Sequence, residues 1–246
     1  MTGTLINIAT ILLGGTLGLF FGARLPQRAR ETVVAGLGLF TAAIGLQMFF
    51  QTDNAIIVLL SLLIGGLLGE WWRIETHLEH LGAWLETRFA GGSDEEDSGS
   101  RFVKGFLTAS LLFCVGPMTI LGAMQDGLTG DYRLLAIKAV LDGFASLAFA
   151  STLGVGVLFS VLVVLLYQGG ISLAAAQLQA LLTPAMTNEM FAAGGVVLLG
   201  LAVSSLLEIK PIRSGNLLPA LLIAPFLVWL VDKFPQWWEG LQWLLH

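Results

Sequence analysis

Three polar side chains, Lys138, Asp142 and Ser146, share one face of a predicted helix inside an otherwise apolar stretch. The motif KAVLDGFAS spaces them four residues apart, the separation of neighbours along one helix face. In a bilayer centre, a charge costs at least about 2.5–3.5 kcal/mol, so such groups pair, bind a ligand or take up a proton. Two interpretations remain: a binding site for a polar solute or ion, and a Lys138–Asp142 pair that only fixes helix packing.

A break in the preceding helix supplies the other half of the predicted site. The stretch FCVGPMTILGAMQDG is apolar but carries Gly116 and Pro117 in its middle. Pro117 has no N–H and displaces the carbonyl of Phe113, four residues earlier. Freed backbone is tolerated in a membrane only where it lines a cavity, and Cys114 and Thr119 add a thiol and a hydroxyl nearby. Unwound backbone beside a carboxylate binds cations in many secondary transporters.

The break and the acid lie at similar predicted depths. The turn between the two helices has its apex near Thr129, with Pro117 twelve residues before it and Asp142 thirteen after it. Because a helix rises by about 1.5 Å per residue, both positions fall near the middle of the bilayer. We therefore expect them to face one another across a hairpin.

The composition identifies the class of protein that positions these residues. Of 246 residues, 56% are hydrophobic and 12% are charged, whereas soluble domains carry about 25% charged residues. The net charge of −5 argues against a nucleic-acid partner, which requires a basic face. No P-loop, dinucleotide fingerprint, zinc motif or nucleophile elbow is present in the sequence, so we expect neither enzymatic activity nor a cofactor or metal.

The hydropathy pattern predicts an all-α, polytopic membrane protein formed by one integral membrane domain, residues 1–246. It contains eight stretches of suitable length and composition: Thr4–Gly22, Thr32–Phe50, Ala55–Trp72, Val103–Met124, Arg133–Ser151, Leu153–Leu173, Met190–Leu207 and Leu217–Val231. Only STLGVG separates the fifth stretch from the sixth, so seven spans are the alternative. The fourth contains the break at Gly116–Pro117.

The distribution of Lys and Arg predicts the orientation, because cytoplasmic loops are enriched in these residues. With the N-terminus outside, nine of the twelve basic residues are cytoplasmic: Arg24, Arg28, Arg30, Arg73, Arg88, Arg101, Lys104, Lys210 and Arg213. Arg133, Lys138 and Lys233 fall outside or near the outer half. Eight spans then put both termini on the outer side.

Two segments lie outside the predicted spans. Residues 73–101 begin with apolar residues at helical spacing and end in GGSDEEDSGS, which predicts an amphipathic helix on the cytoplasmic surface and a flexible acidic linker. Residues 234–246 are rich in Trp, which is typical of the membrane interface.

Further polar residues are secondary candidates for the site. Asp126 follows the fourth span, Asn188 and Glu189 begin the seventh, where a helix cap is expected, and Asn216 begins the eighth. Asn7 lies within the first span and is interpreted as a hydrogen-bonding contact between helices.

Glycine pairs recur along the chain, as GGTLG at 14–18, GGLLG at 65–69 and GG at 194–195. Each predicts a close helix–helix approach. They also suggest an ancient duplication and permit a homo-oligomer.

Three long motifs carry a resemblance to a known family: CVGPMTILGAMQDGLTGD, KAVLDGFASLAFASTLGVGVLFS and NEMFAAGGVVLLGLAVSSLLEIKPIRSGNLLPALLIAP. They resemble the bacterial multi-pass inner-membrane proteins grouped as domain of unknown function 554, the YqgA/YdfK type. The likeness includes the opening GTLINIATILLGG and covers nearly the whole chain. It implies the bacterial cytoplasmic membrane and names no substrate.

Two functions follow from these patterns. The first is a secondary transporter or permease for a small solute, with a cation as one candidate, whose site lies between the break and the Lys138–Asp142–Ser146 face. The second is a membrane scaffold or sensor that contacts partners through its acidic loop or surface helix.

Overall fold

A computed structural model describes residues 1–22, 26–90 and 96–244 and contains no strand in these ranges. Its α-helices are α1 (Thr2–Gly22), α2 (Gln27–Phe49), α3 (Ala55–Trp72), α4 (Ile74–Leu85), α5 (Glu96–Cys114), α6 (Pro117–Thr129), α7 (Arg133–Leu153), α8 (Gly156–Leu173), α9 (Ala175–Leu181), α10 (Pro184–Leu201) and α11 (Ala220–Leu244). Two π-helical turns, Glu86–Ala90 and Ala202–Leu206, follow α4 and α10, and a 3₁₀ turn, Ser214–Leu217, precedes α11.

The helices confirm an all-α membrane protein. In the described ranges, seven helical segments are long and apolar enough to cross a bilayer, and the pair Arg101–Cys114 and Met118–Thr129, bent by 60°, makes an eighth crossing if it is one span. The uncertain join between the fifth and sixth predicted spans is a break, because α7 ends before Gly154, whose φ is 87°.

Glycines hold α1 and α7 unusually close. A Cβ at Gly14 would lie 2.0 Å from the carbonyl oxygen of Gly143, and one at Gly18 would lie 2.2 Å from that of Leu147. Residue numbers rise together along both helices, so α1 and α7 run in the same direction. The predicted close approach at GGTLG is therefore confirmed.

The other two glycine motifs also mark close contacts. A Cβ at Gly69 would lie 1.9 Å from the carbonyl oxygen of Asn216, just before α11, and one at Gly195 in α10 would lie 2.4 Å from that of Gly45 in α2. These contacts place α3 against α11 and α2 against α10. The duplication suggested by the motifs stays a prediction.

The two segments outside the predicted spans are helical where they are described. The helix predicted after residue 73 is α4, whereas α5 begins at Glu96 within the predicted flexible linker. The linker prediction is therefore wrong for residues 96–100, while 91–95 lie outside the described residues. The Trp-rich tail continues α11 without interruption to Leu244, and its interfacial location stays a prediction.

We predict that Gly14→Ala destabilises the protein, because the new methyl group would collide with the backbone of α7. Overpacking of this kind costs about 1–3 kcal/mol, which should lower the thermal unfolding midpoint in detergent by several degrees. Gly36→Ala is the matched control, since no atom lies within 4 Å of its added Cβ. Equal midpoints for the two variants would contradict the close packing.

Candidate functional site

Lys138 and Asp142 form a buried ion pair on the inner face of α7. Their exposed fractions are 5% and 8%, and the Lys138 ammonium donates to Oδ2 of Asp142 one turn along the helix. Burial away from lipid means that protein groups, rather than the bilayer, must satisfy both charges.

Amide side chains from two further helices complete the environment of the pair. Asn7 Nδ2 on α1 donates to Asp142 Oδ2 at 3.0 Å and to Gln168 Oε1 on α8 at 3.0 Å. Gln168 Nε2 in turn donates to Thr4 Oγ1 at 3.2 Å. Thr4, Asn7 and Gln168 are fully buried. The result is a continuous polar network, defined here as Thr4, Asn7, Lys138, Asp142 and Gln168.

One acceptor in the polar network is unused. Asn7 Oδ1 is buried and has no hydrogen-bond partner, although both protons of its amide nitrogen are engaged. A buried acceptor without a donor costs about 1–3 kcal/mol. Asn7 Oδ1 is therefore available to a cation or a donor group.

Ser146 packs the helices rather than extending the network. Its hydroxyl donates to the carbonyl oxygen of Ile11 on α1 at 2.8 Å, and a Cβ at Gly15 would lie 2.9 Å from it. The side chain lies on the predicted face of α7, but its proton is engaged by the α1 backbone.

The break between α5 and α6 has the predicted position. Gly116 is extended, with φ −114° and ψ 148°, and Pro117 is the first residue of α6. The carbonyl of Phe113, which was expected to be available for a ligand, instead accepts a hydrogen bond from Thr119 Oγ1 at 2.9 Å. That part of the hypothesis is corrected, because Thr119 satisfies the oxygen that Pro117 leaves without a donor.

The last turn of α5, just before the break, nevertheless contacts the ion pair. The ammonium of Lys138 lies 5.9 Å from the centroid of the Phe113 ring, within the range of a cation–π interaction. Cys114 is a buried free thiol in the apolar cluster around Phe113 and Phe149. The sequence-predicted halves of the site therefore meet through Phe113 and Lys138.

Two secondary candidates, Asp126 and Glu189, are structural carboxylates. Asp126 accepts the backbone N–H of Gly3 at 3.0 Å. Glu189 accepts from Thr52 Oγ1 at 2.6 Å and from the N–H groups of Asp53 and Asn54 at 2.8 Å each. Glu189 thus supports the turn before α3 instead of capping its own helix.

The other two candidates also bind neighbouring segments. Asn188 Nδ2 donates to Asp53 Oδ2 at 3.1 Å. Asn216 Nδ2 donates to Glu70 Oε2 at 2.6 Å, while its Oδ1 accepts from the N–H of Glu75 at 2.8 Å. Neither residue belongs to the polar network.

Sequence reasoning missed Thr4 and Gln168 and gave Asn7 only a packing role. The available signal was the presence of amide side chains in otherwise apolar spans, at Asn7 and Gln168. Their convergence on Asp142 depends on the close α1–α7 contact, which spacing within one helix does not reveal.

Burial raises the pKa of Glu75 on α4 above 4.5. The nearby Glu79 and Glu70 add to the rise, whereas the hydrogen bond from Gly215 N–H and the charge of Arg213 oppose it. The folded protein consequently holds this proton more tightly than the unfolded chain does.

We predict that removing one partner of the ion pair destabilises the fold. Asp142→Asn or Lys138→Met alone should cost about 3–5 kcal/mol, because each leaves an uncompensated buried charge or polar group. The double variant should unfold at a higher temperature than either single variant. Asp131→Asn is the exposed control, since Asp131 pairs with Arg133 at 3.7 Å on the surface. Additive losses in the double variant would contradict the coupling.

We predict that the titration of Glu75 reduces stability as the pH rises. A raised carboxyl pKa means that the folded state binds more protons than the unfolded state above about pH 4.5, so the free energy of unfolding falls as the pH rises through the folded pKa. Glu75→Gln keeps an acceptor for Gly215 and removes this titration. Thermal unfolding from pH 4 to 8 in a choline buffer should show wild type losing stability relative to the variant, and parallel curves would refute the shift.

Comparison with known proteins places the chain in a family. Residues 2–229 match the family described as a protein of unknown function, DUF554. The chain is 32% identical over 238 residues to the uncharacterised membrane protein YdfK of Bacillus subtilis (strain 168), covering 95% of this chain and 98% of YdfK. It is 33% identical over 222 residues to the uncharacterised protein YqgA of Escherichia coli (strain K12), covering 90% and 94%. No solved structure matches. This α-helical membrane protein therefore belongs to the DUF554 family.

Proposed function

We propose that the protein is a secondary transporter or permease for a small solute, and that the polar network is its substrate site. The observation that carries the proposal is the free Oδ1 of Asn7 beside the Asp142 carboxylate, both buried among α1, α7 and α8. Buried ionisable groups in membrane spans are costly and are functional by default. A network used for packing alone would gain from satisfying every acceptor.

The bent span supports the same function. Discontinuous helices at the substrate site are common in secondary transporters, where they supply movable walls and exposed backbone. Here the 60° bend lies next to Phe113, whose ring contacts Lys138. A movement of α5 relative to α6 would change the contact of the ring with the ammonium group and hence the environment of the pair.

The charge arrangement favours a cationic solute. A cation that binds Asp142 takes the place of the Lys138 ammonium on the same carboxylate, so substrate and lysine compete for one partner. Asn7 Oδ1 supplies a second oxygen ligand, as hard cations require. We propose that release of Lys138 accompanies loading of the site, without covalent chemistry.

We propose a bacterial cytoplasmic-membrane location with both termini outside. The supporting observation is the concentration of Lys and Arg at the end of the bundle that contains α4 and the loop before α11.

A thermal-shift screen followed by flux tests the transport proposal. Purified protein is screened against ions and metabolites at two pH values, and each stabilising solute is followed in radiolabelled form into proteoliposomes. We expect Asp142→Asn to abolish uptake and Asp131→Asn, an exposed carboxylate on the α6–α7 turn, to preserve it. Deletion of residues 91–100 should leave uptake intact, whereas it would impair a scaffold.

Unchanged uptake in Asp142→Asn for every solute carried by wild type would overturn the assignment of the site. Absence of uptake of any stabilising solute by wild type would overturn the transport function itself.

A further inference from the structure

A small cavity lies apart from the polar network, among residues that the network does not include. It occupies about 20 Å³ between α4, α5, the π-helical turn after α10 and the segment before α11. A cavity of this size holds one water-sized particle. Its polar side chains are those of Glu75, Ser204, Ser205 and Ser214, and its apolar side chains are Leu78, Leu107, Leu111, Leu201 and Ile212.

The π-helical turn replaces the usual α-helical hydrogen bonds with bonds to carbonyls five and six residues earlier. Leu207 N–H bonds to Ala202 O at 2.8 Å, and Ile209 N–H bonds to Val203 O at 3.0 Å. In a regular α-helix, Ile209 N–H would close on the carbonyl of Ser205. The hydroxyls of Ser204 and Ser205 lie 3.4 Å apart, at the limit of a weak hydrogen bond. Wide turns of this type often mark functional sites.

Ser214 lines the same cavity and carries an unused hydroxyl. Its exposed fraction is 3%, and its Oγ has no hydrogen-bond partner. Gly200 leaves room for the hydroxyl, because a Cβ at that position would lie 2.8 Å from Ser214 Oγ. A buried hydroxyl without a partner is costly. A cation in the cavity that is coordinated by the hydroxyl oxygen would reduce that cost.

Glu75 brings to the cavity a carboxylate that has no ion-pair partner. One carboxylate oxygen, Oε2, accepts Gly215 N–H at 2.7 Å. The nearby Arg213 forms its ion pair with Glu70 instead, and no Lys, Arg or His of the described ranges lies within ion-pair distance of Glu75. A partly buried carboxylate without a cationic partner attracts a positive ligand.

We propose that this cavity binds one monovalent cation, Na⁺, held by the carboxylate of Glu75 and by oxygens of Ser204, Ser205 and Ser214. Oxygen ligands of this kind suit a hard cation. A divalent ion fits less well, because Mg²⁺ keeps several waters and Ca²⁺ takes six to eight oxygens. One carboxylate and a space for a single water-sized particle match an ion of low charge.

The sodium site is independent of the transport proposal. It involves α4, α5, the end of α10 and the start of the last span, whereas the polar network belongs to α1, α7 and α8. Bound Na⁺ would cross-link α4 to the last span through Glu75 and Ser214. Its expected effect is therefore stabilisation of that end of the bundle.

Equilibrium binding of radiolabelled sodium to the purified protein tests the site, with thermal unfolding in NaCl, KCl and choline chloride at equal ionic strength as the second measurement. We expect saturable binding of one Na⁺ per chain and a higher unfolding midpoint in NaCl than in choline chloride. Glu75→Gln keeps the acceptor for Gly215 and removes the charge, so it should weaken binding by about tenfold or more. Ser214→Ala should weaken it as well and should leave folding intact, since the hydroxyl it removes has no protein partner.

Ser110→Ala is the matched control. Ser110 is a buried serine of α5 whose hydroxyl also has no partner, but it is not part of the cavity lining. Sodium binding should be unchanged in this variant. Equal midpoints in the three salts with no saturable sodium binding would show that only water enters the cavity and would overturn the proposal. Binding that Ser214→Ala and Glu75→Gln leave unaffected would overturn the location.

Discussion

The burial of Asp142 constrains the rest of the bundle. A carboxylate in the middle of a membrane span needs a cation and a donor at fixed positions, and Lys138 and Asn7 supply them. Asn7 reaches across only because glycines at 14 and 18 let the α1 backbone touch that of α7. The close glycine contact, the Asn7 amide and the Lys138–Asp142 pair therefore depend on one another.

The helix break likewise depends on a side chain that replaces a missing hydrogen-bond donor. Pro117 removes a backbone donor, and the hydroxyl of Thr119 replaces it at the carbonyl of Phe113. The bend consequently exposes less polar backbone than a simple broken helix would. The bend contributes to the site through the ring of Phe113, which packs against Lys138 and forms a cation–π contact with its ammonium group.

Features that depend on one helix could be predicted from the sequence, and features that depend on contact between helices could not. Spans, the break at Gly116 and the shared face of Lys138 and Asp142 follow from hydropathy, proline geometry and four-residue spacing. Gln168 has no such local signature, because its role comes from the packing of α8 on α1. The acidic stretch differs from both, since α5 begins at Glu96 although the composition there favours a linker.

Two glutamates at opposite ends of the bundle differ in how many of their carboxylate oxygens accept hydrogen bonds, and this difference separates a packing role from a binding role. Each accepts backbone N–H groups from a turn that leads into a membrane span, Glu189 before α3 and Glu75 before α11. Both carboxylate oxygens of Glu189 accept hydrogen bonds, Oε1 from the N–H of Asp53 and Oε2 from the hydroxyl of Thr52. Only Oε2 of Glu75 is engaged in this way, and the carboxylate borders a cavity with an unpaired serine hydroxyl, Ser214. Glu189 therefore stabilises the turn before α3, whereas Glu75 keeps a carboxylate oxygen that is available to the proposed ligand.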